Sequence, residues 1–332
     1  MQTVVTGASG LLGGNLALEL ARAGHRVRAT RRSAASTRHL DGHPIEWVDA
    51  DLGERRTLAG AFVGADVVFH CAALVSILRR PTPELVATNV DGTRNVIEAV
   101  RSARVARLVH CSTVGAVGLS EDGKPCTEES RWNFADHGLD DGYVMTKHAS
   151  EELVREGVRG GLDAVVVNPT YMLGPNDAKP SSGRLIVGVA RRQVPGYTTG
   201  RNNFVDVRDV ARGMVLAWQK GRTGERYILG GENLSYREIF HAIAKVAGIA
   251  PLEWRIPRVV AGGLGLAGDL QLWLTRKEPL VSSVSVRWAY TTTFQFSSEK
   301  AERELGYTHG LLEPAIADAV AWFRANGMLP AA

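Results

Sequence analysis

The 332-residue chain is poor in cysteine and lysine and has no long apolar run. Its three cysteines, Cys71, Cys111 and Cys126, match no metal-ligand spacing and leave an odd count. They argue against a disulfide framework and read as small hydrophobes of a reduced protein, with no metal site. Lysine occurs 7 times against 32 arginines, and no Lys/Arg run exceeds two residues. The net charge of +4 is therefore spread without a basic block, which argues against nucleic acid as a partner. No window of ~18 uncharged apolar residues is present, so no spanning helix is expected. The nearest approach, VVAGGLGLAGDLQLWL at 259–274, is interrupted by Asp269 and Gln271. It reads first as a packing or lid helix and second as a site of peripheral membrane contact. Met1 and Gln2 lead straight into TVVTGASG, where no signal peptide fits, so the expected location is cytoplasmic.

What is present is a globular composition, 45% apolar, and an alternating pattern. Over the first ~170 residues, short β-rich runs (3–7, 26–30, 45–50, 66–73, 107–113, 163–170) alternate with helical patterns (11–24, 54–61, 84–103, 142–157). This predicts an α/β fold, a doubly wound parallel sheet of Rossmann type with right-handed crossovers. The stretch 118–141 carries no periodicity and reads as a long loop. Residues 202–221 read as a return into the first domain, ending in an amphipathic helix. The expected division is a nucleotide-binding domain of 1–170 plus about 202–221, and a smaller mixed substrate domain of about 171–201 plus 222–332.

TGASGLLG at 6–13 follows the first strand and opens the first helix. Gly7, Gly10 and Gly13 suit a tight turn, a close approach of backbone to a pyrophosphate, and close packing of helix on strand. The helix start at Ser9, Gly10, Leu11 and Leu12 presents free N–H groups to an anion. About 20 positions on, an acid would hold the adenosine ribose of NAD. That window reads Thr30, Arg31, Arg32, Ser33 instead, and Asp41 is the next acid. Arginine can hold a 2′-phosphate bidentately, so NADP is favoured over NAD unless both arginines are only surface residues. Asp51, with Leu52 after it in VDADL, is placed to accept from an adenine amine or to cap the next helix.

In DGYVMTKHASEEL, Tyr143 and Lys147 stand four apart, on one helical face. An ammonium beside a phenol stabilises the phenolate, which predicts a proton donor and acceptor with a lowered pKa. Ser112 and Thr113, in LVHCSTVGAVG, end a strand where hydroxyls face a ligand crevice. Either can polarise a substrate oxygen, or serve as a turn residue.

With these segments in order, the chain resembles the extended short-chain dehydrogenase/reductases, the NAD(P)-dependent epimerase/dehydratase group. The glycine loop, VDADL, FHCAA, ATNVDGTRNV, HCST, Y-x-x-x-K and VNPTYMLGP carry the resemblance over nearly the whole chain. NPTYMLGPNDAKPSSGRLIV, GERYILGGENLS and FSSEKAERELGY narrow it to the hopanoid-associated sugar epimerases, relatives of dihydroflavonol reductases. The resemblance implies Thr113, with Ser112 beside it, as the catalytic hydroxyl, Tyr143 as acid/base and Lys147 as its partner. It implies Ala72 and Ala73 as a wall beside the cofactor, and Asn168, Pro169 and Thr170 as the segment meeting the nicotinamide. Asn89 matches a structural position behind the site. Two departures stand out: Thr113 replaces a frequent serine, and Arg208 precedes Asp209 where the family often has paired acids. Homodimers through helices such as 84–103 and 142–157 are common in the family and are expected here.

Three functions follow. The first is an NADP-dependent oxidoreductase interconverting a secondary alcohol and a ketone. The second is a nucleotide-sugar epimerase with tightly held NAD, for which Arg184, Arg191, Arg192 and Arg201 would hold a diphosphate. The third is a non-catalytic nucleotide-binding protein, against which the intact Tyr143, Lys147 and hydroxyl set argues. Trp132, Phe134, Tyr171, Met172 and Phe204 would give a small-molecule pocket an apolar lining, and His137 reads as a surface loop residue.

Overall fold

The computed structural model describes residues 1–32, 37–76, 78–276, 279 and 281–330. Ser33, the last residue of the window read above for the ribose, lies outside them.

The elements run β1 (Gln2–Thr6), α1 (Leu11–Arg22), β2 (Arg26–Arg31), β3 (Ile45–Asp49), α2 (Arg55–Phe62), β4 (Val67–His70), α3 (Pro83–Val86), α4 (Gly92–Ser102), β5 (Arg107–Cys111), α5 (Gly142–Arg159), β6 (Ala164–Pro169), β7 (Tyr171–Leu173), α6 (Arg184–Ala190), β8 (Arg201–Asp206), α7 (Val207–Lys220), β9 (Arg226–Leu229), β10 (Glu232–Ser235), α8 (Tyr236–Ala247), α9 (Arg258–Thr275), α10 (Ser283–Tyr290), α11 (Glu299–Leu305) and α12 (Leu312–Ala325). Seven strands form one parallel sheet in the order β3-β2-β1-β4-β5-β6-β9. The order reverses between β1 and β4, which opens a crevice at their C-terminal ends. β9 comes from the range 222–332 yet pairs with β6, Val166 opposite Arg226.

The central strands β1, β4 and β6 are buried throughout, so they read as near-continuous apolar runs, while the edge strand β3 is half-exposed. Their alternation still sorts the core. Val5, Phe69 and Val109 face α1 and α7, with Leu16, Leu20 and Met214. Val4, Val68 and Leu108 face α2, α4 and α5, with Phe62, Val96 and Val154. A second sheet, β10-β8-β7, joins α6, α8 and α12 around Phe204, Ile239, Ile243, Ile316 and Phe323. Arg208 ties this layer to the first: it pairs with Asp206, the N-cap of α7, at 2.7 Å and with Asp318 of α12 at 2.6 Å. Asp209 accepts from the Gly310 N–H at 2.9 Å. The Arg208–Asp209 departure thus has a structural use.

Two segments differ from the pattern reading. Helix 84–103 is three pieces: α3, a wide π-turn at Ala87–Asp91, and α4. The loop 118–141 is anchored. Phe134 and Leu139 are buried with Val114, Val144, Ile228 and Phe296, and Cys126 bridges to Phe296. Aperiodic sequence hid a small core assembled from distant segments.

Candidate active site

The glycine turn comes first. Gly7 has φ +75°, a conformation that favours glycine, and a Cβ there would lie 2.6 Å from the Ala72 nitrogen. Gly13 leaves no room for a Cβ beside the Gly7 carbonyl. β1, α1 and the chain after β4 therefore meet backbone to backbone. The N-cap of α1, Gly10, offers no side-chain cap, and no acid stands in the first turn. The N–H groups of Ser9, Leu11 and Leu12 are thus available to an anion, while that of Gly10 donates to the Gly7 carbonyl at 3.0 Å. Ala72 is held against this turn by its N–H donating to Thr6 Oγ1 at 3.3 Å, and Ala73 beside it is exposed.

Asn89 explains the π-turn. Wide turns of this kind recur at functional sites because they re-aim one side chain. The buried Asn89 side chain accepts from Leu74 N–H at 2.8 Å and donates to the Leu74 carbonyl at 2.9 Å and to Thr146 Oγ1 at 3.1 Å. It clamps the Ala72–Leu74 wall to α5.

The chemical groups come from three elements. α5 starts at its N-cap Asp141, whose carboxylate accepts from Val144 N–H at 2.9 Å. It then places Tyr143, Lys147 and Glu151 on one face. Tyr143 is half-buried, with its phenol beside the Thr113 side chain. Thr113 Oγ1 also accepts from Gly115 N–H at 3.2 Å, so its own proton remains to be donated. Ser112 Oγ is buried with no partner among the described residues. The structure thus brings Thr113 to Tyr143 and leaves Ser112 aside. Lys147 is buried and donates to the Cys111 carbonyl at 2.8 Å.

One expectation is corrected here. The Tyr143 phenol is not lowered by an ammonium. Burial pushes it above its ordinary range, and the neighbouring Thr113 side chain only partly opposes this. Lys147 is itself held below its ordinary value by burial, and its ammonium is engaged at Cys111.

Behind these groups is a buried polar network that the sequence reading missed. Asn168 Nδ2 donates to the Thr113 carbonyl and to Glu151 Oε2, both at 2.9 Å. Glu151, 1% exposed, also pairs with Arg155 at 2.8 Å and Arg226 at 3.3 Å. The signal was available, because Glu151 continues the i, i+4 series of Tyr143 and Lys147. Asn168 Oδ1 and Thr170 Oγ1 are buried without partners among the described residues, next to Pro169 at the end of β6. Unsatisfied buried polar atoms are rare, and a ligand is one reason for them. The uncapped N-terminus, the Gly7–Ala72 contact and these two orphaned atoms fit a dinucleotide. His70 and His110 lie under the site, and burial lowers His70 to about 3.

At the far end, Arg31 pairs with Asp49 of the neighbouring strand at 3.0 Å and lies over Trp47. The window after β2 holds no acid, but the sheet register supplies one, Arg31 opposite Asp49. Arg32 is exposed, and no carboxylate pairs with it among the described residues. Asp51 is not the α2 cap, which is Glu54; its Oδ1 accepts from Gly53 N–H at 2.7 Å. The Leu52 carbonyl accepts from Asn95 at 2.7 Å, and the Leu52 side chain packs on Gly92.

Of the expected apolar lining, Phe134 and Phe204 are core residues, and Tyr171 packs on Phe204. Trp132 stacks on His148 at 4.3 Å and donates to the Gly115 carbonyl. His137 is exposed. Arg191 and Arg192 line a shallow depression with Gly327 and Leu329, while Arg201 donates to the Asn233 carbonyl.

Comparison with known proteins agrees with this geometry. The model of the NAD dependent epimerase/dehydratase family matches residues 3–230. Sterol demethylase protein B of Methylococcus capsulatus is 36% identical over 99% of this chain and 100% of its own length. A 4-hydroxy-2-methyl-3-oxo-4-farnesyl-3,4-dihydroquinoline-1-oxide ketoreductase of Stigmatella aurantiaca is 32% identical over 92% of each chain. The crystal structure of a nucleoside-diphosphate-sugar epimerase from Pseudomonas aeruginosa superposes with a TM-score of 0.83 at 28% identity, covering 99% of both chains. With its Rossmann sheet, its glycine turn and its Tyr143/Lys147 helix, the chain belongs to the NAD-dependent epimerase/dehydratase family, the extended short-chain dehydrogenase/reductases, and is an NAD(P)-dependent enzyme.

Proposed function

We propose that the protein is an NADP-dependent reductase of a ketone on an apolar molecule, the reverse oxidation using the same groups. The observation that carries this is the placement of the Tyr143 phenol beside Thr113 at the crevice end of the sheet, with Lys147 one turn further along the same helix. The bound nicotinamide would give a hydride to the carbonyl carbon. Tyr143 gives its phenolic proton to the oxygen, and the Thr113 hydroxyl donates to the same oxygen to orient it. A phenol held high by burial is protonated at neutral pH, which suits a proton donor. Lys147 is positioned to turn its ammonium from the Cys111 carbonyl to a ribose hydroxyl and to the phenolate that forms. Glu151 and Asn168 fix the backbone at Thr113.

Arg32 is the reader of the 2′-phosphate, because it is exposed and has no carboxylate partner among the described residues, where Arg31 is engaged by Asp49. The apolar substrate class is supported by relatives named for a sterol and a farnesyl ketone. Residues 171–201 and 222–332 supply its pocket, and the protein pairs as a dimer through α4 and α5. One observation favours the epimerase reading with bound NAD: Asp49 brings a carboxylate beside Arg31. The test is NADPH oxidation against a panel of apolar ketones. Turnover that needs NADPH and vanishes in Tyr143→Phe supports the reading. Interconversion of nucleotide sugars without net nucleotide oxidation overturns it.

A further inference from the structure

α9 is built inside out. Its small residues Ala261, Gly265 and Gly268 face inward, and its bulky apolar residues face solvent. The inward side is seated closely: a Cβ at Gly265 would lie 3.1 Å from Ser283, and Gly268 leaves no space beside the Val281 carbonyl. Asp269, the one acid of the helix, is turned to this side, where it accepts from Ser283 N–H at 3.1 Å. The outward side carries Val259, Leu266, Leu270 and Trp273 at intervals of seven, four and three residues, with Val260, Leu264 and Leu274 beside them. Val259 is 87% exposed, Leu266 68% and Trp273 71%. A contiguous apolar face of this kind marks an interaction surface.

The charge around this face selects the partner. Trp254, Arg255 and Arg258 stand at one end, and Trp273 and Arg276 at the other, all exposed. Among the described residues no carboxylate pairs with Arg255, Arg258 or Arg276; Arg258 lies over the Tyr290 ring. Within α9 itself no acid is presented on the outward side, since its one acid is Asp269. Apolar residues in the middle, with tryptophan and free arginine at both ends, form the pattern of a helix lying in a bilayer interface. The helix has 18 residues, about 27 Å at 1.5 Å per residue, and none of the described helices is long and apolar enough to cross a membrane. A second copy of the chain would bring three like-charged arginines against three more, which opposes self-pairing.

We propose that α9 is a membrane-docking helix that lies flat on an anionic bilayer, with Val259, Leu266, Leu270 and Trp273 buried among the acyl chains and Arg255, Arg258 and Arg276 on the lipid phosphates. The docking face is coupled to the active site. α9 rests on α10, whose Trp288 Nε1 donates to Asp141 Oδ2 at 2.8 Å, and Asp141 caps the helix that carries Tyr143. The bilayer would therefore lie one helix layer away from the chemical groups.

The experiment is vesicle flotation of the full-length protein. Vesicles of phosphatidylcholine with about 30% phosphatidylglycerol are compared with phosphatidylcholine alone, at low and high salt. The proposal predicts flotation with the anionic vesicles, weakened by salt, and a blue shift of tryptophan emission. Leu266→Glu with Trp273→Glu should lower the partition coefficient by about a hundredfold or more. Arg258→Glu with Arg276→Glu should lower it about tenfold or more and abolish the salt dependence. These side chains stand in solvent, so melting temperature and nucleotide affinity should hold, and Leu266→Ser serves as a milder variant. A protein that stays unbound to anionic vesicles overturns the proposal, as does equal flotation of the Glu variant. A dimer that light scattering shows to dissociate in the Glu variant, without vesicle binding, also overturns it and assigns the face to a second copy.

Discussion

Replacing Asn89 with leucine removes three hydrogen bonds while keeping the branching of the side chain. Asn89 is 2% exposed and bonds the Leu74 N–H, the Leu74 carbonyl and Thr146. Each such bond contributes about 1 kcal/mol net, and the abandoned Leu74 groups are left to find water. The loss should be about 2–4 kcal/mol, which lowers Tm by about 3–6 °C in a chain of this size. The effect should also reach the nucleotide, because Leu74 is two residues from Ala72, which abuts the glycine turn. Reordering that wall on binding should weaken dinucleotide affinity by about tenfold. Asn89→Asp keeps the acceptor for Leu74 N–H but sets a carboxylate against the Leu74 carbonyl, so it should be no better than leucine at neutral pH. Thermal melts and nucleotide titration of both variants read the two effects. Native nucleotide affinity in Asn89→Leu, whatever its melting temperature, would refute the claim that Asn89 holds the cofactor wall.

Three further outcomes follow from the same geometry. Tyr143→Phe should lower kcat by about 10²-fold or more and leave nucleotide binding within about twofold, since it removes a proton donor but little binding surface; comparable kcat would remove Tyr143 from the chemistry. Arg32→Ala should weaken NADP about 10- to 100-fold and leave NAD unchanged, measured by titration with each; an equal loss for both would make Arg32 a general phosphate contact. His70 gives a pH prediction. Its folded pKa of about 3 lies below its ordinary 6.5, so below 6.5 the unfolded chain binds a proton that the folded chain refuses. Stability is full above 6.5 and drains as pH falls toward 3, by about 2 kcal/mol at pH 5 from this group alone. Melting curves from pH 7 to 5 should show a smaller decline in His70→Asn than in the native protein.

Local signals made the sheet, the glycine turn and the Tyr143/Lys147 face legible in the sequence. Each rests on residues close together in the chain, where period and turn chemistry act directly. What escaped depends on register and on distant contacts. Asp49 meets Arg31 only because β2 and β3 pair in that register. Glu151 gains its role from Asn168 and Arg226, elements that meet only in the folded sheet. The phenol pKa is set first by burial, which the i, i+4 spacing of Tyr143 and Lys147 does not disclose. Ser112 and Thr113 are told apart in their surroundings only by the fold, which buries the Ser112 hydroxyl and sets Thr113 beside Tyr143.

The most direct test of an exchangeable NADP is the nucleotide itself. The protein is purified without added cofactor and denatured, and what it releases is identified. The emptied protein is then titrated with NADP and with NAD. Substoichiometric nucleotide and at least about tenfold tighter NADP binding are predicted, as one charge-assisted phosphate contact at Arg32 would give. Stoichiometric NAD, tightly held and unaffected by Arg32→Ala, would contradict the account and give the site to epimerase chemistry.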